Sequence, residues 1–166
     1  MIGTTNIKNL PLSALNVSSA APDYSLGSFF VDNSTGLTYP TTYLYVKAHA
    51  ALTAFLPYTI STNNQKYDTI AAAATGTGVT ICVPQIAVAS GEYAWVPVKG
   101  IVTITSHGTV TAANALELIN TGTMAIDAGG TTVDATFLGL VKTTGTGSTN
   151  QVGVKFNGIN REVKSS

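Results

Sequence analysis

The chain alternates strictly between polar and apolar side chains over positions 43–50. Because successive side chains of a β-strand point to opposite faces, this alternation predicts a half-buried strand. An apolar run over 27–31 predicts a second strand, and the Asn and Gly residues of 32–36 are typical of turns. The two strands are therefore expected to form a hairpin. The predicted polar face of the later strand carries Tyr43, Tyr45, Lys47 and His49.

Clusters of glycine, asparagine and serine divide much of the remaining chain into short runs that predict further strands. In the longest run, Gly100 is expected to produce a bend or bulge, and Pro97 places the strand at a sheet edge or makes it irregular. Asn157 and Gly158 form a dipeptide that closes hairpins. The predicted strands span 58–62, 79–83, 94–105, 137–143 and 151–156.

Helical signals are scarce. Asp68 could cap a short helix over 68–74 that Gly76 ends, because an aspartate side chain accepts hydrogen bonds from the first free amides of a helix. The stretch 112–120 fits either one helical turn or a strand. Abundant threonine favours β structure. The sequence therefore predicts an all-β fold with one or two short helices, in a single domain over 25–166.

Residues 1–24 differ from the rest because their apolar positions follow neither an alternating nor a sustained helical period. Pro11 and Pro22 interrupt them. This pattern predicts an extended N-terminal arm with apolar anchors, and the alternative is a terminus that nothing holds in place. The anchors are Ile2, Ile7, Leu10, Leu12, Leu15 and Val17.

Charge is the feature in which the composition departs most from that of ordinary domains. Charged residues make up 10% of the chain, against about 25% in typical soluble domains. The formal net charge is +0 and Arg161 is the only arginine, which argues against nucleic acid or an anionic membrane as a partner. Since net charge keeps protein surfaces apart, this surface is expected to be covered by other subunits.

Neither a membrane helix nor a secretory signal is expected from the sequence. Apolar runs fall short of the ~18 residues that span a bilayer, and no basic segment followed by an apolar one opens the chain. Cys82 is the single cysteine, which excludes an intrachain disulfide framework. It is expected to behave as a small buried hydrophobe.

Candidate catalytic residues are few. His49 and His107 are the two histidines, and neither accompanies a Gly-x-Ser-x-Gly elbow. The glycine-rich stretches 76–78 and 145–149 lack the lysine or the third glycine that phosphate-binding loops need. We therefore expect no enzymatic activity, no cofactor and no metal site.

Aromatic residues offer a different kind of candidate site. Ring faces could stack on sugars while their polar tips form hydrogen bonds, but Trp and Tyr are also the anchors of cores and subunit interfaces. The sequence favours core packing or subunit contact over a sugar-binding face. The residues concerned are Tyr39, Tyr43, Tyr45, Tyr93 and Trp95.

One stretch resembles a known family. Residues 87–100 read AVASGEYAWVPVKG, in which a small-residue loop and a glycine lead into Tyr-x-Trp, alternating apolar residues and a second glycine. This pattern resembles the lambda-type head decoration, or cement, proteins of tailed phages. The segments 37–48, 110–116 and 137–141 resemble other elements of that family.

The resemblance implies a β-rich body, either a tulip-like barrel or a jelly-roll-like sandwich, that binds the outer capsid surface as a homotrimer. The protein would be made in the host cytoplasm, incorporated into the virion, and would join neighbouring major capsid protein subunits. The alternative is a head-fibre or receptor-recognition module that binds carbohydrate. The expected capsid contacts are Ile2, Ile7, Leu10 and Leu12, with Tyr93 and Trp95 in the body or the trimer interface.

Overall fold

The computed structural model describes residues 6–33, 40–61, 68–70, 80–107, 115–118, 124–126, 137–141 and 149–157. These residues form eleven β-strands and one short 3-10 helix, so the predicted all-β fold is confirmed. The 3-10 helix spans Leu12–Asn16. The strands are β1 (Ser18–Ser19), β2 (Phe29–Asp32), β3 (Thr41–Ala48), β4 (Tyr58–Ser61), β5 (Asp68–Ile70), β6 (Thr80–Cys82), β7 (Tyr93–His107), β8 (Ala115–Leu118), β9 (Met124–Ile126), β10 (Phe137–Val141) and β11 (Thr149–Asn157).

Strand β7 is the spine of the sheet. Its first half pairs antiparallel with β3, and its second half pairs antiparallel with β11. The pairings then lead from β11 through β10, β8 and β9 back to β7. On the other side the pairings lead from β3 through β5 and β4 to β6. Directly after β6, the Val83 N–H donates to the carbonyl of Pro97 in β7 over 3.2 Å. The pairings thus close on themselves through β7, as they do in a barrel.

The centre of β7 is irregular in the way that its proline and glycine predict. The register with β3 shifts between Thr42 and Tyr43, which pair with Lys99 and Pro97, so β7 carries one extra residue there. Gly100 has φ +116, and a Cβ at this position would lie 2.5 Å from the Thr41 Cα. The predicted bulge is confirmed, whereas the sheet-edge alternative for this strand is wrong because β7 lies inside the sheet.

The segment starting at Asp68 differs from its prediction. Asp68–Ile70 is a strand, not the first turn of a helix. It pairs in parallel with β3 and antiparallel with β4, so its backbone groups have partners on two neighbours that a short helix could not use. Residues 71–74, the rest of the predicted helix, lie outside the described residues. Ala115–Leu118 is also a strand, which decides between the two alternatives for 112–120.

His107 ends β7, two residues beyond the predicted end of this strand at 105. Strand β7 continues through Ser106 and His107 because β11 pairs with both residues. Strand β9 pairs with the same two positions in parallel. The backbone of His107 therefore belongs to the sheet.

Both faces of β3 are buried, which corrects the expectation of a half-buried strand. Tyr45 is 2% exposed and Val46 is 0% exposed, although they point to opposite faces. On one face lies a cluster that we call the aliphatic cluster. Its buried members are Val46, Ala48, Leu52, Tyr58, Ile60, Cys82, Val88, Ala94 and Val96.

The opposite face carries the aromatic cluster. Its buried members are Leu10, Leu15, Phe30, Tyr45 and Trp95, and Ile7, Ala14, Tyr24, Leu26, Tyr43 and Tyr93 pack against it.

Residues 6–24 lie on the body and do not extend away from it. We call residues 6–24 the N-terminal cover, because they include the 3-10 helix and β1 and contribute side chains to the aromatic cluster. Leu10 is 6% exposed and Leu15 is 7% exposed. The extended arm expected for 1–24 is therefore replaced, over 6–24, by a segment that buries its apolar anchors within the same chain. Ile2 lies outside the described residues.

Within the described part of the chain, no helix has the length and apolar character needed to cross a membrane.

Candidate functional site

The aromatic cluster is the most distinctive grouping of side chains in the described structure. Tyr24, Tyr45 and Trp95 approach one another with ring centroids 5.1–5.3 Å apart. Tyr24 meets both partners edge to face, the arrangement that places the positive edge of one ring against the negative face of another. Tyr93 stacks on Tyr45 at 6.2 Å with an interplanar angle of 17°.

The β3–β7 register explains why these rings meet. Tyr45 and Trp95 are opposite partners in the antiparallel pair, and Lys47 is the partner of Tyr93 two positions further along. Opposite side chains of such a pair lie on the same face of the sheet and contact each other. The alternation along both strands thus concentrates aromatic rings on one face.

The polar atoms of the rings differ in whether they have hydrogen-bond partners. The hydroxyl of Tyr45 accepts a hydrogen bond from the Asp23 N–H over 3.0 Å. Burial raises the pKa of Tyr45 above its usual value. Burial also raises the pKa of Tyr43, with a smaller contribution from the negative charge of Asp32. The indole Nε1 of Trp95 is buried and has no hydrogen-bond partner among the described residues.

The aromatic cluster is partly accessible to solvent at Tyr93. The Lys47 ammonium lies 5.7 Å from the centroid of the Tyr93 ring, within the range of a cation–π interaction. Tyr93 is half-buried, whereas its neighbour Trp95 is 3% exposed. The rings are therefore packed against one another and do not form an open stacking platform.

The N-terminal cover is tied to the body by a small number of directional contacts. The Ile7 N–H donates to the Phe29 carbonyl over 2.9 Å. Ser18 and Ser19 of β1 pair with Ala94 and Tyr93 of β7.

The carboxylate of Glu92 contacts the same part of the N-terminal cover. The Ser18 hydroxyl donates to Oε2 of Glu92, which also accepts from the Ala89 N–H over 3.4 Å. The backbone carbonyl of Glu92 also accepts a hydrogen bond from the Ala48 N–H over 2.8 Å. This carboxylate therefore links the cover to the turn that precedes β7.

The outer surface of the cover carries exposed apolar side chains. Leu12 is 49% exposed and Val17 is 57% exposed, and they are the large hydrophobic residues that the described structure leaves most open. Single exposed apolar residues are common on proteins. Here both belong to one short segment, which makes its outer surface a candidate for contact with a partner.

The structure separates the residues that the sequence groups as capsid contacts. Leu10 is buried in the aromatic cluster and Ile7 packs against it, so both face the body of their own chain. Leu12 faces outward. A contact of any of them with a capsid stays a prediction.

The residues predicted for a sugar-binding face are also separated. Tyr45 and Trp95 are buried in the body, and Tyr43 and Tyr93 are half-buried against them. Tyr39 lies outside the described residues. The rings thus pack mainly against protein, as the core-packing alternative requires.

Other candidate residues lie apart from the aromatic cluster. Cys82 is 0% exposed in the aliphatic cluster, and burial raises the pKa of its thiol, as expected for a small buried hydrophobe. His49 is exposed at the end of β3, and its carbonyl accepts from the Ser90 hydroxyl over 3.2 Å. Among the residues described, no three His, Cys, Asp or Glu side chains come together in a way that could hold a metal ion.

Sequence reasoning did not identify Tyr24, Phe30 and Glu92 as parts of this site. Tyr24 stood at the boundary between the predicted arm and body, and its role depends on a return of the chain onto β3 and β7. A signal for Phe30 existed, because it lies in the predicted hairpin opposite Tyr43. Glu92 carried no signal, since its partner Ser18 is distant along the chain.

The fold defines an all-β protein organised around one long shared strand. It is similar to the N base of the head fiber protein gp8.5 in bacteriophage phi29, with a TM-score of 0.53 and 13% sequence identity. The match covers 74% of this chain and 99% of the phi29 chain. No protein-family model matches the sequence, and no curated protein is significantly similar to it.

Proposed function

We propose that this chain is a non-enzymatic structural protein of a phage head. The observation that carries the proposal is the similarity of its fold to the base of the phi29 head fiber. The resemblance of residues 87–100 to phage head decoration proteins supports the same class independently of the fold. The low content of charged residues, 10%, suits a surface that other subunits cover.

In its finer form, the proposal places the protein on the outer capsid surface as a homotrimer that joins neighbouring major capsid protein subunits. A protein that binds only the assembled lattice stabilises it by mass action. Three binding segments on one trimer would raise the effective concentration of each segment at its site. Cementing of this kind requires binding alone and no chemical step.

The exposed surface of the N-terminal cover is the proposed capsid contact. Leu12 and Val17 are the apolar side chains that this surface offers. Leu10 and Ile7 would contribute indirectly, because their burial in the aromatic cluster positions the segment that carries Leu12. Ile2 would extend the same contact.

Co-sedimentation with empty heads that lack the protein tests this role. The unaltered protein is expected to pellet with the heads, and light scattering is expected to give about three times the 17.1 kDa mass of one chain. Leu12→Asp and Val17→Asp should abolish pelleting, because they place a charge in an apolar contact. Ser13→Asp, at an exposed polar position, is the matched control and should still pellet. A protein that stays in the supernatant would refute the proposal.

A head-fibre module that recognises carbohydrate is the second candidate, and the phi29 similarity is the observation in its favour. In that case Tyr43 and Tyr93, two of the half-buried tyrosines of the cluster, would be the rings available to a sugar. Glycan binding by the isolated protein that is lost in both Tyr43→Ala and Tyr93→Ala, but kept in Leu12→Asp, would favour this candidate over the cementing role.

A further inference from the structure

One edge of β7 lacks a continuous neighbouring strand. On the other edge, β11 pairs with β7 along the whole of 99–107. On the edge away from β11, β3 pairs with β7 as far as Lys99, and β9 pairs with it again from Ser106. Among the described residues, no strand pairs with the stretch 100–105 on that edge. We call this stretch the interrupted edge of β7.

The side-chain amide of Gln85 occupies the middle of the interrupted edge. The Thr103 N–H donates to Oε1 of Gln85 over 3.0 Å, and Nε2 of Gln85 donates to the Thr103 carbonyl over 3.1 Å. Nε2 also donates to the Val83 carbonyl over 2.9 Å. An amide that accepts from the N–H and donates to the carbonyl of one residue forms the same two bonds as a residue of an antiparallel neighbour. Gln85 therefore takes the place of a strand at Thr103.

The backbone carbonyl of Phe55 occupies the next position along the same edge. The Thr105 N–H donates to this carbonyl over 2.8 Å, and the Phe55 N–H donates to the Pro84 carbonyl over 2.7 Å. Phe55 has φ +66, the one positive value among the non-glycine residues described. For a bulky side chain this conformation is rare and costs free energy. The two hydrogen bonds therefore hold strained backbone in the position that directs its carbonyl at β7.

The amino-acid sequence of this edge is well suited to pairing with another strand. Positions 101–106 read IVTITS, without a charge, a proline or a glycine. Short uncharged segments rich in β-branched residues add readily to strands of other chains when their backbone groups are exposed. Proteins commonly protect such edges with charged side chains, and this segment carries none. Groups outside the strand therefore have to supply the protection.

We propose that the Gln85 amide and the Phe55 carbonyl protect the interrupted edge of β7 from pairing with the same segment of a second copy. Without the amide, the N–H and the carbonyl of Thr103 lose their partners and become available to an incoming strand. The protection matters in this protein because charged residues make up only 10% of the chain, so little charge repulsion keeps copies apart. The inference concerns the unbound protein and does not depend on binding to a phage head.

Gln85→Leu in the full-length chain tests this role, because leucine has a similar size and no hydrogen-bonding atom. Hydrogen exchange at the Thr103 amide is expected to accelerate roughly tenfold, the equivalent of one lost hydrogen bond. Light scattering is expected to give a mass that rises with concentration, whereas the unaltered protein keeps a constant mass over the same range. A variant that keeps the mass of the unaltered protein, or whose Thr103 amide exchanges no faster, would overturn the proposal.

A second substitution separates protection of the edge from a general loss of stability. Thr103 is half-buried, and Gln85→Leu/Thr103→Lys is expected to return to the mass of the unaltered protein, because a charge on an edge opposes pairing. Tyr45→Phe loses a hydrogen bond on the aromatic face and is the matched control, which should not associate. Association of the double variant, or equal association of Tyr45→Phe, would contradict the proposal. Gln85→Met takes the place of Gln85→Leu if the first variant does not fold.

Discussion

The two faces of the β3–β7 pair are covered in different ways. Over the aliphatic cluster, Leu52 and Val88 exchange backbone hydrogen bonds of 2.8 and 3.0 Å. The Tyr58 hydroxyl accepts from the Thr53 N–H over 2.7 Å, and the Phe55 N–H donates to the Pro84 carbonyl over 2.7 Å. The loops 52–55 and 84–88 are therefore hydrogen-bonded to each other over this face.

The aromatic face carries larger side chains than the aliphatic face. Its cover is held by the Ile7 bond to Phe29, the short β1 strand, and the polar contacts of Ser18 and Asp23. Segments with few backbone ties open at a lower free energy than strands in the core. Both faces are buried, and we expect the cover over the aromatic face to open at a lower free energy than the strands around the aliphatic cluster.

The strongest test of this difference is a cavity in the aliphatic cluster. Ile60 is 1% exposed, so Ile60→Ala removes buried contacts that the packed surroundings cannot replace. We expect the free energy of unfolding to fall by about 4 kcal/mol, with loss of the whole fold in a denaturant titration. Val17→Ala, at a position 57% exposed, is the control and should change little. A loss for Ile60→Ala as small as that of the control would contradict the assignment of this face as the core.

The junction between the two halves of β7 should be almost as sensitive. Gly100→Ala would place a Cβ 2.5 Å from the Thr41 Cα, where backbone has to move. We expect a loss of about 3 kcal/mol. Gly91→Ala is the matched control, because Gly91 also has a positive φ, +85, but nothing lies within 4 Å of a Cβ there, and it should cost about 1 kcal/mol. Equal losses in thermal unfolding would show that close approach is not the cause.

A cavity under the N-terminal cover should have a smaller and more local effect. Leu10→Ala is expected to cost about 2 kcal/mol, at the low end of the range for such changes. Hydrogen exchange should accelerate at the Ile7 and Asp23 amides more than at those of Val46 and Val96 in the aliphatic cluster. Leu12→Ala, at a position 49% exposed, is the control. Equal acceleration on both faces would mean that the cover does not open independently.

The smallest expected effect concerns the Tyr45 hydroxyl. Tyr45→Phe removes the acceptor of the Asp23 N–H, which should cost about 1 kcal/mol near neutral pH.

The same hydroxyl should contribute to stability at alkaline pH. Burial raises the pKa of Tyr45 above the usual value of about 10, so its contribution is complete below that value and is lost as the pH rises through the folded-state pKa. Tyr45→Phe should therefore flatten the alkaline decline in unfolding free energy. Tyr43→Phe should flatten it too, because the pKa of Tyr43 is also raised. An unchanged alkaline decline in both variants would refute this attribution.

Much of the strand framework could be predicted because its signals are local. The alternation over 43–50 corresponds to β3, and the run over 94–105 corresponds to β7. The irregularity at Pro97 and Gly100 followed from a missing N–H and a missing Cβ, which are properties of the residues themselves. The site was less accessible, because alternation separates two faces of a strand without specifying what covers each face.

The amino-acid sequence by itself determined an all-β chain, a long strand that is irregular near Gly100, and a face of aromatic rings at alternate positions. Only the tertiary structure decided that Leu10 and Leu15 lie in that face and that Asp68–Ile70 is a strand. The physical reason is range: backbone preference acts between neighbours in the chain, whereas burial depends on which distant segment removes a side chain from water. An irregular apolar segment carries no periodic signal, because it follows the shape of the surface on which it lies.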